Sequence, residues 1–209
     1  MRTVAVLNEK GGSGKTTIAT NLASAWHWAG RDVLLLDADP QLTALDWNDT
    51  GSEEGVPVVQ LGESDLERDL PRVGDSFELV VIDGAPRMGS LTASAVRAAD
   101  LVLIPTQPSA PDIWSAETVA EFCQSEGTPA AFVLSRAVVG TREASEADEA
   151  LASFEIPVLE ARTHHRIAYS RAMGQGRSVL DLPGADKAAK EVRDLSTEVL
   201  SHLNRTTDE

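Results

Sequence analysis

Short runs of apolar residues recur along the chain, and each is about as long as one β-strand. The runs are continuous rather than alternating, which is typical of strands that are covered on both faces. Six clear runs lie at residues 4–7, 33–36, 79–82, 101–104, 130–134 and 156–159, and a weaker one lies at 56–61. This pattern predicts a sheet that is buried between layers of helices.

Between these runs, apolar side chains recur at the three- and four-residue spacing of amphipathic helices. Helices are predicted at residues 15–30, 93–100, 117–126, 142–154 and 187–203. Strands that alternate with helices indicate βαβ units and a parallel sheet. We therefore predict one α/β domain over residues 1–209, in which helices flank both faces of a mostly parallel central sheet. Only residues 204–209 are expected to fray.

Composition narrows the class of protein without identifying it. Of 209 residues, 42% are hydrophobic and 24% are charged, as in ordinary globular proteins. The 33 acidic residues outnumber the 18 basic ones, so contact with DNA or an anionic membrane would need a local basic patch. The single cysteine, Cys123, excludes an internal disulfide and a cysteine-ligated metal cluster. With no leader segment and no apolar run near ~18 residues, we expect a cytoplasmic protein without membrane contact.

A glycine-rich loop separates the first predicted strand from the first predicted helix. Its residues, all expected to contact a nucleotide, are Lys10, Gly11, Gly12, Ser13, Gly14, Lys15, Thr16 and Thr17. Glycines let backbone N–H groups turn toward an anion, and the helix N-terminus adds further donors. Lys15 is placed to reach the β- and γ-phosphates of a nucleoside triphosphate, and the Thr16 hydroxyl is placed to bind Mg²⁺. The loop thus predicts a P-loop NTPase.

Three aspartates follow predicted strands and complete the constellation. Asp37 and Asp83 end two of the strands, and Asp39 lies two residues beyond Asp37. Carboxylates at the carboxyl ends of parallel strands face the crevice in which ligands bind. We expect Asp83 to hold Mg²⁺ through water, with Asp37 sharing that role, and Asp39 to orient or deprotonate the attacking water.

With these motifs the chain resembles the ParA/MinD group of deviant Walker ATPases, and most of all short ParF-like partition ATPases. Lys10, directly before the glycines, and Glu9, where the usual pattern has glycine, make the first motif deviant. The motifs that carry the resemblance are residues 10–17, 37–41, 79–86 and 104–109 with Asp112, together with an Ala-Tyr-Ser-Arg-Ala segment at 168–172. The resemblance covers nearly the whole chain.

The resemblance implies a specific cycle of assembly. ATP would drive two subunits into a face-to-face homodimer, in which Lys10 reaches across to the nucleotide of the other subunit. Slow, Mg²⁺-dependent hydrolysis would then involve Lys10, Lys15 and Asp39, and a centromere-binding ParB- or ParG-like partner would stimulate it. The dimer would bind DNA without sequence preference, associate with the nucleoid in the ATP state, and segregate plasmid or chromosomal DNA.

Charge is segregated along the carboxyl third of the chain. Residues 161–180 contain no acid, whereas residues 143–160 contain six acids and no base. The basic residues of the acid-free stretch include Arg162, Arg166, Arg171 and Arg177. A local arginine surface that doubles on dimerisation would bind phosphates in a salt-sensitive way, so these four arginines are the predicted DNA contacts.

Two residues depart from the pattern of the family. Ser135, in Leu134-Ser135-Arg136, stands where many relatives have asparagine, which weakens its assignment to adenine recognition. Glu9 places a negative charge beside the phosphate loop, and we expect it to point away from the loop or to pair with a cation.

Other functions remain open at this point. A ParA-like ATPase that positions a protein cargo, such as a carboxysome or a chemoreceptor cluster, would differ only in its partner. A MinD-like membrane-cycling regulator fits less well, because the terminal helix carries Glu191, Asp194 and Glu198 instead of a basic rim. A metabolic ligase on the same scaffold would need a second-substrate motif, and none is visible.

Overall fold

Six parallel strands form the centre of the molecule. The computed structural model describes residues 1–51, 54–61 and 66–205. The strands are β1 (Arg2–Val6), β2 (Val33–Ala38), β3 (Val58–Gln60), β4 (Leu79–Gly84), β5 (Leu101–Thr106) and β6 (Ala130–Leu134). They form one sheet in the order β3-β2-β4-β1-β5-β6, and every pair is parallel. The predicted α/β class with a parallel sheet is confirmed.

Helices cover both faces of this sheet. They are α1 (Lys15–Trp28), α2 (Thr43–Thr50), α3 (Leu66–Gly74), α4 (Ser90–Ala98), α5 (Ala110–Glu126), α6 (Arg142–Leu151), α7 (Ile167–Met173) and α8 (Asp186–Arg205). Side chains of α3, α4, α5 and α6 form one apolar layer, and those of α1, α2 and α8 form the other. A smaller apolar cluster joins α7 to the first half of α8. The continuous apolar runs therefore reflect burial on two faces.

Residues 156–159 differ from the expectation, because they do not form a strand. They make only a single parallel bridge with β6, in which the Phe132 N–H donates to the Pro157 carbonyl (2.8 Å) and the Leu159 N–H to the Phe132 carbonyl (2.9 Å). Pro157 has no N–H group, so it has no donor with which to extend the ladder.

Apolar spacing did not predict all of the helices or all of their boundaries. The short helices α2, α3 and α7 were not predicted, and α5 begins at Ala110 instead of Glu117 because Pro111 is tolerated in a first turn. Asn204 and Arg205 belong to α8 instead of fraying, and residues 206–209 lie outside the described part of the chain.

Among the helices of the described ranges, none is both long and apolar enough to cross a membrane.

Sheet register brings the predicted site residues to one edge. Asp37 of β2 lies opposite Asp83 of β4, and Asp83 lies opposite Val6 of β1, whose strand leads into the glycine-rich loop. Since parallel strands end at the same edge, the loop and both aspartates share the carboxyl edge of the sheet.

The chain crosses itself closely where α2 ends. Gly51, which follows α2, packs directly on Gly176, which follows α7 and has a φ of +61°. A Cβ on Gly176 would lie 2.5 Å from the carbonyl carbon of Thr50, closer than real side chains approach. The contact fixes α2 against the segment that carries α7.

We expect Gly176→Ala to lower the free energy of unfolding by roughly 2–4 kcal/mol, because strain in φ adds to a backbone clash. Gly127→Ala is the matched control, since Gly127 also has a positive φ (+70°) but has open space at its Cβ position. That control should cost about 1–2 kcal/mol. Urea unfolding of both variants measures the difference, and equal losses would contradict the close crossing.

Candidate functional site

The glycine-rich loop forms a cradle of backbone donors at the start of α1. Gly14, with a φ of +106°, directly precedes α1, and Gly12 has a φ of +79°. The first turn of α1 contains no acidic residue. The unpaired N–H groups of that turn and the positive end of the helix dipole therefore favour an anion at the loop.

Side chains from the neighbouring strand ends hold the outer carbonyls of this loop. The Gln107 side chain donates to the Gly12 carbonyl (2.7 Å), and the Ser135 hydroxyl donates to the Ser13 carbonyl (2.6 Å). Asn8 accepts from the Lys10 N–H at 2.8 Å. Carbonyls that are bonded on the outside leave the amides free to face an anion. Sequence reasoning missed these roles, although it had noted Ser135 and the stretch that contains Gln107.

Lys15 lies inside the cradle and is 6% exposed. Its ammonium group donates to the Lys10 carbonyl at 3.1 Å. Burial lowers the pKa of Lys15, and the charges of Asp83 and Asp39 oppose that shift. A buried ammonium with so few partners is suited to bind phosphate oxygens.

The three predicted aspartates meet beside Lys15, but their surroundings differ. Asp37 accepts from the backbone N–H groups of Asp39 (3.0 Å) and Leu45 (2.9 Å), and burial raises its pKa. Asp39 accepts from the Gln41 N–H at 2.9 Å and lines the cavity above the loop. Asp37 thus already orders the turn that carries Asp39.

Asp83 is the carboxylate best suited to a metal ion. It is 0% exposed, and within the described residues neither oxygen has a hydrogen bond of ordinary geometry. Burial raises the pKa of Asp83 to about 7, with the charge of Asp37 adding to the rise; the nearby Thr16 hydroxyl and Lys15 lower it only in part. A buried carboxylate beside a hydroxyl, with oxygen ligands to spare, fits the preferences of Mg²⁺.

Lys10 does not point into its own cradle. Its ammonium group forms an ion pair with Asp112 of α5 at 2.7 Å, and the Ser109 hydroxyl donates to the same carboxylate. Asp112 is 3% exposed, whereas the Lys10 side chain remains 40% exposed. Lys10 is therefore held at the edge of the site on its own subunit.

Glu9 turns toward the loop that follows β4. Its carboxylate accepts from the Met88 N–H at 3.2 Å, next to Arg87, whose φ is +105°. The structure therefore places this negative charge away from the cradle, in agreement with the first of the two expectations.

A cavity of about 530 Å³ extends from the cradle across the carboxyl edge of the sheet. Residues 11–18, without Ser13, line it at the phosphate loop, and its lining also includes Ser135, Arg136 and residues 163–170, without Ala168. This volume is in the range of small-molecule sites. The cavity combines the anion-binding groups of the loop with polar, charged and apolar side chains, which suits a nucleotide.

The four predicted DNA-contacting arginines do not form a free basic surface. Arg162 pairs with Asp148 (2.9 Å), Arg166 with Glu191 (2.6 Å) and Arg177 with Asp181 (3.3 Å). Arg171 is exposed and has no ion pair within the described residues. Acids from α6, α8 and the loop before α8 supply the negative charge that residues 161–180 lack. DNA contact by this surface stays a prediction, with Arg171 as its most available cation.

Comparisons with known proteins agree with this geometry. The family described as the CobQ/CobB/MinD/ParA nucleotide binding domain matches residues 4–199. The "maintenance of carboxysome distribution protein A" of Halothiobacillus neapolitanus is 33% identical over 95% of this chain and 96% of its own, and that of Gloeobacter kilaueensis is 39% identical over 98% and 94%. The fold superposes on an ATP complex of a Cyanothece McdA variant with a TM-score of 0.77 and 18% identity, covering 96% of each chain. The chain belongs to the CobQ/CobB/MinD/ParA family, which confirms the resemblance to ParA/MinD-type deviant Walker ATPases.

Proposed function

We propose that the protein is a ParA-like ATPase that uses ATP and Mg²⁺ to position a protein assembly in the cell. The observation that carries the nucleotide chemistry is the buried carboxylate of Asp83, which has no hydrogen bond of ordinary geometry within the described residues and lies beside Lys15 and Thr16. Two relatives named for the distribution of carboxysomes match nearly the whole chain. They support a protein cargo over plasmid or chromosomal DNA, which was the primary expectation from the sequence.

The residues at the carboxyl edge divide the chemistry among them. The loop amides and Lys15 would hold the β- and γ-phosphates, while Thr16 and Asp83 would hold the metal. Bound Mg²⁺ supplies positive charge that offsets the phosphate oxygens. Asp39, which is ordered by Asp37, orients the attacking water or accepts its proton. The outer carbonyls of the loop stay bonded throughout, so the amides need no rearrangement.

Assembly into a homodimer would depend on Lys10. Its exposed ammonium group is held by Asp112, and the phosphates of a nucleotide in a second subunit offer it a stronger anionic partner. This exchange would make dimerisation depend on the triphosphate. A partner protein that stimulates hydrolysis and links the ATPase to its cargo would complete the cycle, and contact with the nucleoid would use Arg171.

The cargo is tested by deleting the gene in its native host. We expect the spacing of a fluorescently tagged protein assembly to become irregular, while plasmid inheritance and chromosome segregation continue at wild-type rates. A Lys15→Ala allele should reproduce the deletion, because the ATP cycle drives positioning. Loss of plasmids or unequal chromosome segregation in the deletion strain would contradict the protein-cargo proposal.

The role of Lys10 is tested by comparing dimer formation with nucleotide binding. Lys10→Ala should keep ATP affinity within about threefold but abolish the dimer that forms with a slowly hydrolysed ATP analogue, because the lysine acts on the other subunit's nucleotide. Size-exclusion chromatography with light scattering measures the dimer. Lys190→Ala, which removes an exposed lysine on α8, is the control. A full dimer of the Lys10 variant would exclude this role.

The burial of Asp83 predicts a pH dependence in the nucleotide-free, metal-free protein. Its pKa is about 7 in the folded chain and near 3.8 when exposed, so the folded state binds the proton more tightly. The stability contributed by this site is therefore full below pH 3.8 and is lost as pH rises toward 7. Asp83→Asn removes the free-energy cost of burying an ionised carboxylate at this position.

Urea unfolding should show that Asp83→Asn is more stabilising at pH 8 than at pH 5, by about 1–3 kcal/mol. Mg²⁺ with a nucleotide should remove the advantage of the variant, because the metal favours the carboxylate. An Asp83→Asn effect that does not change with pH would contradict the environment assigned to this carboxylate.

A further inference from the structure

The end of the cavity opposite the phosphate loop is built from a segment that belongs to no strand. Residues 160–169, the wall segment, run from the end of the 156–159 stretch into the first turns of α7. His164, Arg166 and Tyr169 of this segment line the cavity. Backbone hydrogen bonds to the end of β6 and the residues after it hold part of this segment: the Thr163 N–H donates to the Leu134 carbonyl (3.0 Å) and the His165 N–H to the Ala137 carbonyl (2.9 Å).

Two glutamates of α8 supply further contacts to the wall segment. Glu191 and Glu198 are seven residues apart, about two helical turns, and so share one face of the helix. Glu198 accepts from the backbone N–H groups of Glu160 (2.9 Å) and Ala161 (2.7 Å). Glu191 accepts from the His164 N–H at 3.2 Å. The carboxylates thus accept from N–H groups of the wall segment that the Leu134 and Ala137 carbonyls do not bind.

Glu191 also binds the side chains that line the cavity. Its carboxylate accepts from His164 Nδ1 (2.8 Å), Arg166 Nε (2.6 Å) and the Tyr169 hydroxyl (2.9 Å). Burial by itself would raise the pKa of Glu191, but the hydrogen bonds from Arg166, the His164 backbone and Tyr169 outweigh it, and the net pKa lies below its ordinary value. Glu191 is 9% exposed and ionised, and its single carboxylate accepts hydrogen bonds from three side chains of the wall segment.

We propose that Glu191 is a positioning residue for the nucleotide, which fixes the wall that receives the base and ribose. This inference rests on the proposed function, because it requires a nucleotide in the cavity. Phosphates at Lys15 would place the rest of the nucleotide elsewhere in the same cavity, which His164, Arg166 and Tyr169 of the wall segment line. Glu191 acts through His164, Arg166 and Tyr169, and does not itself line the cavity.

Glu191→Gln keeps the size of the side chain and removes its charge. We expect calorimetric titration with Mg²⁺ present to show ATP affinity reduced about tenfold, since a charged hydrogen-bond hub is lost. Affinity for inorganic triphosphate, which occupies only the phosphate end, should stay within about twofold. Asp194→Asn is the matched control on the same helix, because Asp194 pairs with the exposed Lys190 and contacts no side chain of the wall segment that the structure describes.

A second readout follows the wall itself. The chain has one tyrosine, Tyr169, so 3-fluorotyrosine labelling gives a single ¹⁹F resonance in the full-length protein. ATP should shift this resonance in the wild type, and inorganic triphosphate should shift it much less. Glu191→Gln should move the nucleotide-free resonance and shrink the response to ATP, whereas Asp194→Asn should change neither.

The possible outcomes separate the inference from the proposed function. Unchanged ATP affinity in Glu191→Gln, or equal weakening of ATP and inorganic triphosphate, would overturn the positioning role. If Glu191→Gln does not fold, Tyr169→Phe removes a single donor, and its ATP affinity should fall about two- to fivefold with triphosphate binding unchanged. If the wild-type protein binds triphosphate but not ATP, the assignment of the wall segment to the base and ribose is wrong. If it binds neither, the proposed function itself is wrong.

Discussion

A buried lysine among three buried aspartates is the electrostatic arrangement on which the site depends. The parallel register of β2 and β4 sets Asp37 opposite Asp83, and the loop after β1 brings Lys15 to the same edge. One ammonium group does not balance three carboxylates in a low-dielectric interior. Burial, with the charge of Asp37 adding to it, raises the pKa of Asp83, and a divalent cation would supply the positive charge that this group of carboxylates lacks.

The phosphate cradle is already shaped around this arrangement. Gln107 and Ser135 hold two outer carbonyls of the loop from the ends of β5 and β6, and Asn8 holds the N–H of Lys10. Binding therefore costs little reorganisation, which is how fixed dipoles favour both binding and reaction. The wall segment is held both by the backbone at residues 134–137 and, from α8, by the carboxylate of Glu191.

Local motifs made the phosphate end predictable from the sequence. The loop at residues 10–17 and the aspartates after two buried strands have fixed short spacings, so their shared edge follows from the parallel sheet alone. Supporting contacts could not be predicted in this way. The Ser135 hydroxyl reaches a carbonyl that is 122 residues away along the chain, and Gln107 reaches one that is 95 residues away. Such contacts depend on strand order, which apolar periodicity does not specify.

The arginines of residues 161–180 are a second case in which contacts between distant residues could not be predicted from the local sequence. Residues 161–180 contain no acid, yet Arg162 and Arg166 are paired with Asp148 and Glu191, which come from helices before and after the stretch. Charge counted along a sequence window therefore overstated the free positive surface. Short helices such as α2 and α7 were missed for a related reason, since they are too brief for a clear amphipathic pattern.

The site at this edge of the sheet is expected to bind a metal–triphosphate complex. Calorimetric titration of the purified chain with ATP, with and without Mg²⁺, measures this binding, with Lys15→Ala as the negative control. We expect Mg²⁺-dependent ATP binding that Lys15→Ala abolishes and that AMP does not reproduce. Binding of AMP as tightly as ATP, or ATP binding that survives both loss of Mg²⁺ and loss of Lys15, would contradict it.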